Sequence, residues 1–414
     1  MRIKQKIYNL LQWSQKYTQT DMVYLAKGGF WLTLGKIITS VLAFILAIAF
    51  ANLVSKETYG TYKYILSTGG ILGIFSLPGI DTALVRAIAR GYEGSLILCV
   101  KTRLRWGILT GVASLGIAGY YLLQGNITLT ICFLIGAIFF PLMSAFILYE
   151  SFWVGKKSFK TLIKYQVFIQ LLVVSILIPI LFLTNDLFLI LFTWFSTYTT
   201  FYFIALYLTL KKGAPNKKED PEVVSYGKHL TLMEILGIIA ARLDRILIWH
   251  FLGATSVAVY YFATIPLQQI EELLGKINVL VFPKLVQKDK QQIKSTLPTK
   301  MFKFLILIIP IVVVYILLTP YIFKFFFPQY LEAIIYSQLL ALTLLFYPRI
   351  ILKTTLTAYA QTKKLYWLRI TTPIVQILFL ITLTPVYGIY GVIVALLATQ
   401  IYATIFSFWL FKRI

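Results

Sequence analysis

Acidic side chains are scarce in this 414-residue chain: 15 Asp and Glu stand against 39 Lys and Arg, a formal net charge of +24. Histidine is scarcer still. His229 and His250 fall at opposite ends of one apolar segment, which argues against a histidine metal cluster or a hydrolytic triad. The two cysteines, Cys99 and Cys132, lie in a loop and within an apolar segment, so neither a disulfide nor a metal site is expected. No GxxxxGKS or GxxxxGKT pattern occurs to cradle nucleotide phosphates, and no polar stretch is long enough to fold as an ATPase. No cofactor, nucleotide or metal is called for.

What the chain has instead is apolar length: 59% hydrophobic residues, 16% aromatics and a mean hydropathy of +0.81. That composition belongs to an integral membrane protein. A helical span needs about 20 mainly apolar residues, and twelve such segments are read at 27–53, 60–80, 103–123, 127–152, 162–184, 186–210, 228–252, 257–282, 301–323, 332–360, 364–384 and 387–411. The short alternating strands of a membrane barrel are not seen. Residues 1–26 are polar and basic, with Ile3, Ile7, Leu10, Leu11 and Trp13 at helical spacing, so they read as a surface-lying amphipathic segment rather than a cleavable signal. Thirty of the 39 Lys and Arg, Arg103 and Arg369 among them, fall in alternate gaps on one side, and only Lys56, Lys63 and Lys324 on the other. Basic loops stay cytoplasmic, which places both termini there. The charge suits an anionic leaflet, and nucleic acid is not needed to explain it.

The longest polar interruption, residues 211–227, carries the Pro, Gly and charge mixture of a linker and divides the spans six and six. The domains expected are the N-terminal segment 1–26, bundles at 27–210 and 228–414, and the linker between them. Faint self-similarity supports duplication. LVSKETYGTY from Leu53 pairs with LGATSVAVY from Leu252, and VGKKSFKTL from Val154 with AQTKKLYWL from Ala360, both at offsets of about 200 residues. An even number of spans per repeat makes the halves parallel, related about an axis along the membrane normal. The fold expected is all-α, with about twelve transmembrane helices in two six-helix bundles around a cleft, an arrangement suited to transport by alternating access.

Read together, FWLTLGKIITSVLAFILAIAFANLVSKETYGTYKYI, GIDTALVRAIARG from Gly79 and RLDRILIWHFLGATSVAVYYFA from Arg242 resemble the Wzx polysaccharide flippases of the multidrug/oligosaccharidyl-lipid/polysaccharide (MOP) exporter superfamily. The resemblance covers essentially the whole chain and implies a MATE-like fold. It also implies a cargo: an oligosaccharide on polyprenyl (undecaprenyl) pyrophosphate, moved from the inner to the outer leaflet of a bacterial cytoplasmic membrane for O-antigen, capsule or related glycans. Membrane lipids and polysaccharide polymerase or assembly proteins are the partners implied. With no ATPase, any uphill movement would draw on an ion gradient, the membrane potential or removal of product.

Charges inside the spans are expensive and mark the candidate sites. Lys36 lies roughly 9 Å inside the first span, on a face with Thr33 and Ser40, where it lines a cavity or snorkels to the interface. Glu234 is its near-counterpart in the second repeat and a conjectured ion-pair partner. Arg242 and Arg245 are about 60° apart on one helical face, where two guanidinium groups could grip a pyrophosphate. Asp244 projects elsewhere and would answer a cation on another helix; the alternative is a structural ion network. Glu271 is a possible proton or cation site and Glu272 a partner for Lys276, although such residues also simply hold helices together. Arg349 and Lys353, one turn apart after Pro348, are further anion candidates. Arg86 and Arg90, beside Asp81, could meet a lipid pyrophosphate at the inner leaflet or serve only as topology charges. Gln376 with Arg369 and Thr372, and Gln400 with Thr404 and Ser407, make polar faces suited to helix packing or sugar hydroxyls. No residue is expected to be catalytic. An enzyme of the same pathway would need a sizeable outer loop with catalytic groups, and a cation-drug antiporter usually carries a carboxylate where this chain has Lys36.

Overall fold

A computed structural model describes residues 22–275, 290–359 and 361–413. Most of the expected amphipathic segment, residues 1–21, and Lys276 lie outside the described residues. Long helices follow one another: α1 (Met22–Leu53), α2 (Lys56–Leu72), α3 (Ile80–Ala89), α4 (Ser95–Leu123), α5 (Ile127–Phe146), α6 (Tyr149–Gly155), α7 (Phe159–Leu183), α8 (Leu187–Gly213), α9 (Val223–Gly275), α10 (Lys290–Phe326), α11 (Ala333–Ala341), α12 (Arg349–Ala358) and α13 (Thr362–Lys412). With no water in hydrocarbon, a spanning chain must satisfy its backbone internally, and unbroken helices do so.

Eight of the described helices, some joined end to end, are long and apolar enough to span. Two bent pairs bring the number to ten. Two of the eight, of 50 and 51 residues, are each broken once by a glycine, Gly253 (φ 81°) in α9 and Gly388 (φ 57°) in α13. Those φ values suit a residue without Cβ. Both helices are hairpins. The Tyr260 hydroxyl reaches Asp244 at 2.8 Å, whereas 16 residues of straight helix would separate them by about 24 Å. Lys364 likewise donates to the carbonyl of Arg413 at 2.9 Å. Dividing both hairpins gives the twelve spans expected.

The tenth expected span, 332–360, is broken: α11 passes through a 3-10 turn, Leu342–Phe346, and α12 leaves it bent by 43°. Pro348 causes this, having no N–H to continue the ladder. The ninth begins eleven residues early, at Lys290, because hydropathy marks where lipid starts and not where the helix does.

The chain forms two compact units, one comprising residues up to Ala49 and Leu72–Leu232, the other Phe50–Ile71 and Met233–Ile414. This differs from a division at the linker. In the first unit, Gly107, Thr110, Gly111, Ser114 and Ala118 make a buried stripe of small residues on α4. It lets α5 approach closely, and the Ser114 hydroxyl donates to the Phe133 carbonyl at 2.8 Å. Residues 214–222 are strapped down as well. Asn216 donates to the Gly91 carbonyl at 2.9 Å, the Gly94 N–H to that of Lys218 at 2.9 Å, and the Asp220 N–H to Ser95 Oγ at 2.9 Å. In the second unit the repeat junctions meet: Tyr64 stacks on Trp249 at 4.4 Å and Tyr59 on Phe262 at 4.8 Å. Lys56 pairs with Glu332 at 2.5 Å.

The larger of the two bends, 53° between α2 and α3, is held by Arg103. Leu77 adopts φ 57° there, and the carbonyls of Leu77 and Pro78 accept from Arg103 Nη2 at 3.3 and 3.2 Å. Nη1 reaches the Ser144 carbonyl at 2.7 Å, and Asp81 lies 2.9 Å from Nη2. Arg103→Met should cost about 3 kcal/mol by stranding buried carbonyls; Asp81→Asn should cost less because Asp81 is half exposed. Thermal unfolding of the purified variants checks the order.

Glu93 anchors the strap by accepting from Lys156 and from the Asn216 N–H at 3.1 Å. Partial burial pushes its carboxyl up, but these two donors outweigh that and hold it below the usual range. A depressed folded value means stability that is present at neutral pH and lost as pH falls through the ordinary glutamate range and below it. Hydrogen exchange of residues 214–222 should therefore quicken in Glu93→Gln at pH 7, and in the native chain only in acid.

Candidate functional site

Within the second unit, the first arm of α9 presents Glu234, Ile238 and Arg242 along one stripe, each about one helical turn from the next. α12 contributes Arg349 and Lys353, and the two arms of α13 contribute Arg369, Thr372 and Ser407. Together they line a half-open cavity of about 450 Å³. Two contacts fix its walls. Gln376 donates to the Ala240 carbonyl at 3.0 Å, tying α13 to α9 behind the charged faces. Gly70 of α2 makes room for Arg242, since a Cβ there would lie 2.0 Å from Arg242 Nε.

Four cationic side chains thus face one carboxylate. Like charges repel more strongly where water is displaced, and Nη1 of Arg349 is buried with no hydrogen-bond partner among the described residues. A buried guanidinium nitrogen left unpaired is costly. An anion with several oxygens would satisfy it and relieve the repulsion, and guanidinium geometry suits phosphate. Among the described residues no group of three His, Cys, Asp or Glu could hold a metal.

Arg242, Arg349, Lys353 and Glu234 are thus brought together from the expected set. Arg245 is not among the cavity-lining residues. Its Nη1 donates to the Ala241 carbonyl at 3.1 Å and lies 3.6 Å from Asp244, and its guanidinium sits 5.7 Å from the Tyr261 ring. The shared grip of Arg242 and Arg245 gives way to this arrangement because a 60° separation lets long side chains take different partners. Asp244 meets its own neighbour Arg245 and the Tyr260 hydroxyl across the hairpin, not a cation on another span. Glu271 is half-buried, with its backbone carbonyl accepting from Tyr347 at 3.4 Å, and Glu272 is exposed. Lys36 lies exposed on α1 of the first unit. Arg86 stacks over Tyr226 at 4.7 Å, and Arg90 pairs with Asp220 at 3.4 Å.

Two cations gain weight from the structure. Arg369, read as part of a polar face and counted as a loop charge, joins the cavity. Lys63, counted as an outer-loop charge, sits over the rings of Tyr261, Tyr62 and Tyr59 at 4.0, 5.0 and 5.2 Å. The tyrosines grouped at 59, 62, 260 and 261, at matching places in the two repeats, were the signal for that box.

Residues 25–288 match the profile of a family described as polysaccharide biosynthesis protein. A search of curated proteins gives no match. Among solved structures the fold is similar to lipid II flippase MurJ in an inward closed conformation, with 15% identity, 92% of this chain and 87% of that chain covered, and a TM-score of 0.68. It is similar to an inward-facing multidrug resistance MATE family transporter of the MOP superfamily, with 13% identity, coverage of 93% and 97%, and a TM-score of 0.64. A MOP superfamily transporter from Pyrococcus furiosus, described by the reverse polarity of its binding pocket, follows with 12% identity, coverage of 93% and 96%, and a TM-score of 0.60.

The cavity makes a direct expectation. Inorganic pyrophosphate at about 100 times its Kd should stabilise the purified protein by about 2.7 kcal/mol. Arg349→Gln combined with Lys353→Met should abolish the thermal shift. Arg245→Gln should lower the baseline melting temperature and leave the shift intact.

Proposed function

The chain belongs to the polysaccharide biosynthesis protein family and has the fold of the MOP superfamily transporters, and on that premise we propose that it is a flippase for oligosaccharides carried on polyprenyl pyrophosphate. The observation that carries this reading is the cavity of Arg242, Arg349, Lys353 and Arg369, with its buried, unpartnered Arg349 nitrogen. A pyrophosphate joining lipid and sugar is the part of such a cargo that hydrocarbon rejects most strongly, so a flippase must supply compensating charge along the path. Cationic side chains in a cavity do this without making or breaking a bond. Glu234 lowers the net positive charge, which keeps the grip reversible.

On this reading both termini face the cytoplasm of a bacterial inner membrane. The glycan would feed O-antigen, capsule or a related surface polymer, in association with a polymerase or assembly proteins. Lys36, Arg86 and Arg90 belong to the path only as secondary anion contacts, and Glu271 and Asp244 are candidates for coupling.

Transbilayer movement of a polyprenyl-pyrophosphate oligosaccharide in proteoliposomes, read by access of an added glycosidase, tests the proposal. The native chain should move it. Arg349→Gln should slow movement roughly tenfold or more, the loss of a charge-assisted bond worth about 1.5–3 kcal/mol, with folded protein retained. Cargo that stays in place while its glycan lengthens or is transferred would replace the flippase with an enzyme.

A further inference from the structure

The first unit carries a wall of aromatic side chains that the cationic cavity does not use. On α8, Trp194, Tyr198 and Tyr202 recur every four residues, so they stand in one row roughly 12 Å long at 1.5 Å per residue. Their rings are tilted against one another by 56° and 57° at 4.8 and 5.5 Å, so the ring faces are not stacked on each other. All three are half-buried. Behind them Tyr149 lies 6.0 Å from Tyr202 and 5.8 Å from Tyr165, and it is fully buried.

Polar groups border the row. The Tyr198 hydroxyl donates to Gln170 Oε1 at 3.0 Å, and that of Tyr149 to Glu150 at 3.2 Å. The Tyr165 and Tyr202 hydroxyls make no hydrogen bond among the described residues, and both side chains are half-buried. An amide and a carboxylate at this depth in spanning helices do not face lipid tails; they face the bundle interior or a water-filled cavity. Aromatic faces with donors and acceptors at their edges match one ligand chemistry. A sugar ring offers an apolar C–H face for the electron-rich ring, and hydroxyls around its rim for amide and phenol groups.

We infer that Trp194, Tyr198 and Tyr202, with Tyr165 and Gln170, form a carbohydrate platform that takes a short run of neutral sugar rings. The platform rests on the flippase reading for what carries the sugar, and on its own chemistry for the sugar itself. It separates the recognition of the glycan from that of the phosphates, which fall to the second unit.

Saturation-transfer NMR on the full-length protein in nanodiscs, with a panel of neutral free trisaccharides, tests it. Transfer from aromatic protons to sugar-ring protons is expected with at least one trisaccharide, reduced fivefold or more by Tyr198→Leu with Tyr202→Leu. Tyr198→Phe, which keeps the ring, should retain most of the signal, and the exposed Phe168→Leu should retain all of it. Absence of transfer across the panel in the native chain, or transfer untouched by the double variant, would overturn the platform. Bare polyprenyl pyrophosphate, assayed separately, isolates the other reading. If the lipid does not bind while trisaccharide transfer persists, the flippase reading fails and the platform stands.

Discussion

A cation carried into hydrocarbon has few outlets: a carboxylate, a set of carbonyls, an aromatic face, or a wet cavity that an anion can visit. The architecture can be followed by asking which outlet each takes. Arg103 takes three carbonyls and Asp81. Arg245 takes Asp244, a carbonyl and Tyr261, and Lys63 takes tyrosine rings. Arg242, Arg349, Lys353 and Arg369 take the cavity, where Glu234 is the one carboxylate among the described lining residues. The first three solutions answer the charge with groups of the protein itself, leaving only the Nε of Arg103 and of Arg245 without a partner among the described residues, and they hold structure together. The fourth is left open, and that imbalance is why the cavity is proposed as the binding site.

The same economy governs the backbone. Where a span leaves helical geometry, something else must satisfy the freed groups or the break must be short. The turn at Leu77 and Pro78 survives because the Arg103 guanidinium takes their carbonyls. The hairpins at Gly253 and Gly388 turn at a residue that tolerates positive φ. Pro348 ends one helical ladder and starts another, and so sets Arg349 at the beginning of α12 with Lys353 one turn on. An irregularity in the chain and a charge in the cavity are thus produced together.

Phosphate and sugar recognition are divided between the two units on the readings proposed. The cationic cavity is built by α9, α12 and α13 of the second unit, the aromatic row by α7 and α8 of the first. Each set is rigidly founded: Gln376 ties α13 to α9, and buried Tyr149 backs the tyrosines. A cargo that is half anion and half carbohydrate suits such a division, since charge recognition needs convergent cations and sugar recognition needs broad apolar faces with polar rims.

Hydropathy, charge spacing and repeat offsets are properties of neighbours along the chain, and they were enough to read the helical class, twelve spans and the pairing of Arg349 with Lys353. They also placed Arg242 and Glu234 on a membrane-embedded face. Partner choice was not legible in the same way. Arg103 and Lys63 were counted as loop charges, though one closes a broken span and the other is boxed by tyrosines. Arg242 and Arg245 share a helical face, yet one turns to the cavity over Gly70 and the other to Asp244. The linker read from its composition is strapped down by Asn216 and Asp220. By itself the sequence determined which segments enter lipid and which charges go with them, because those follow from local transfer free energies. Only the tertiary structure decided which charges are neutralised and which stay open, because that depends largely on groups delivered from far along the chain into contact.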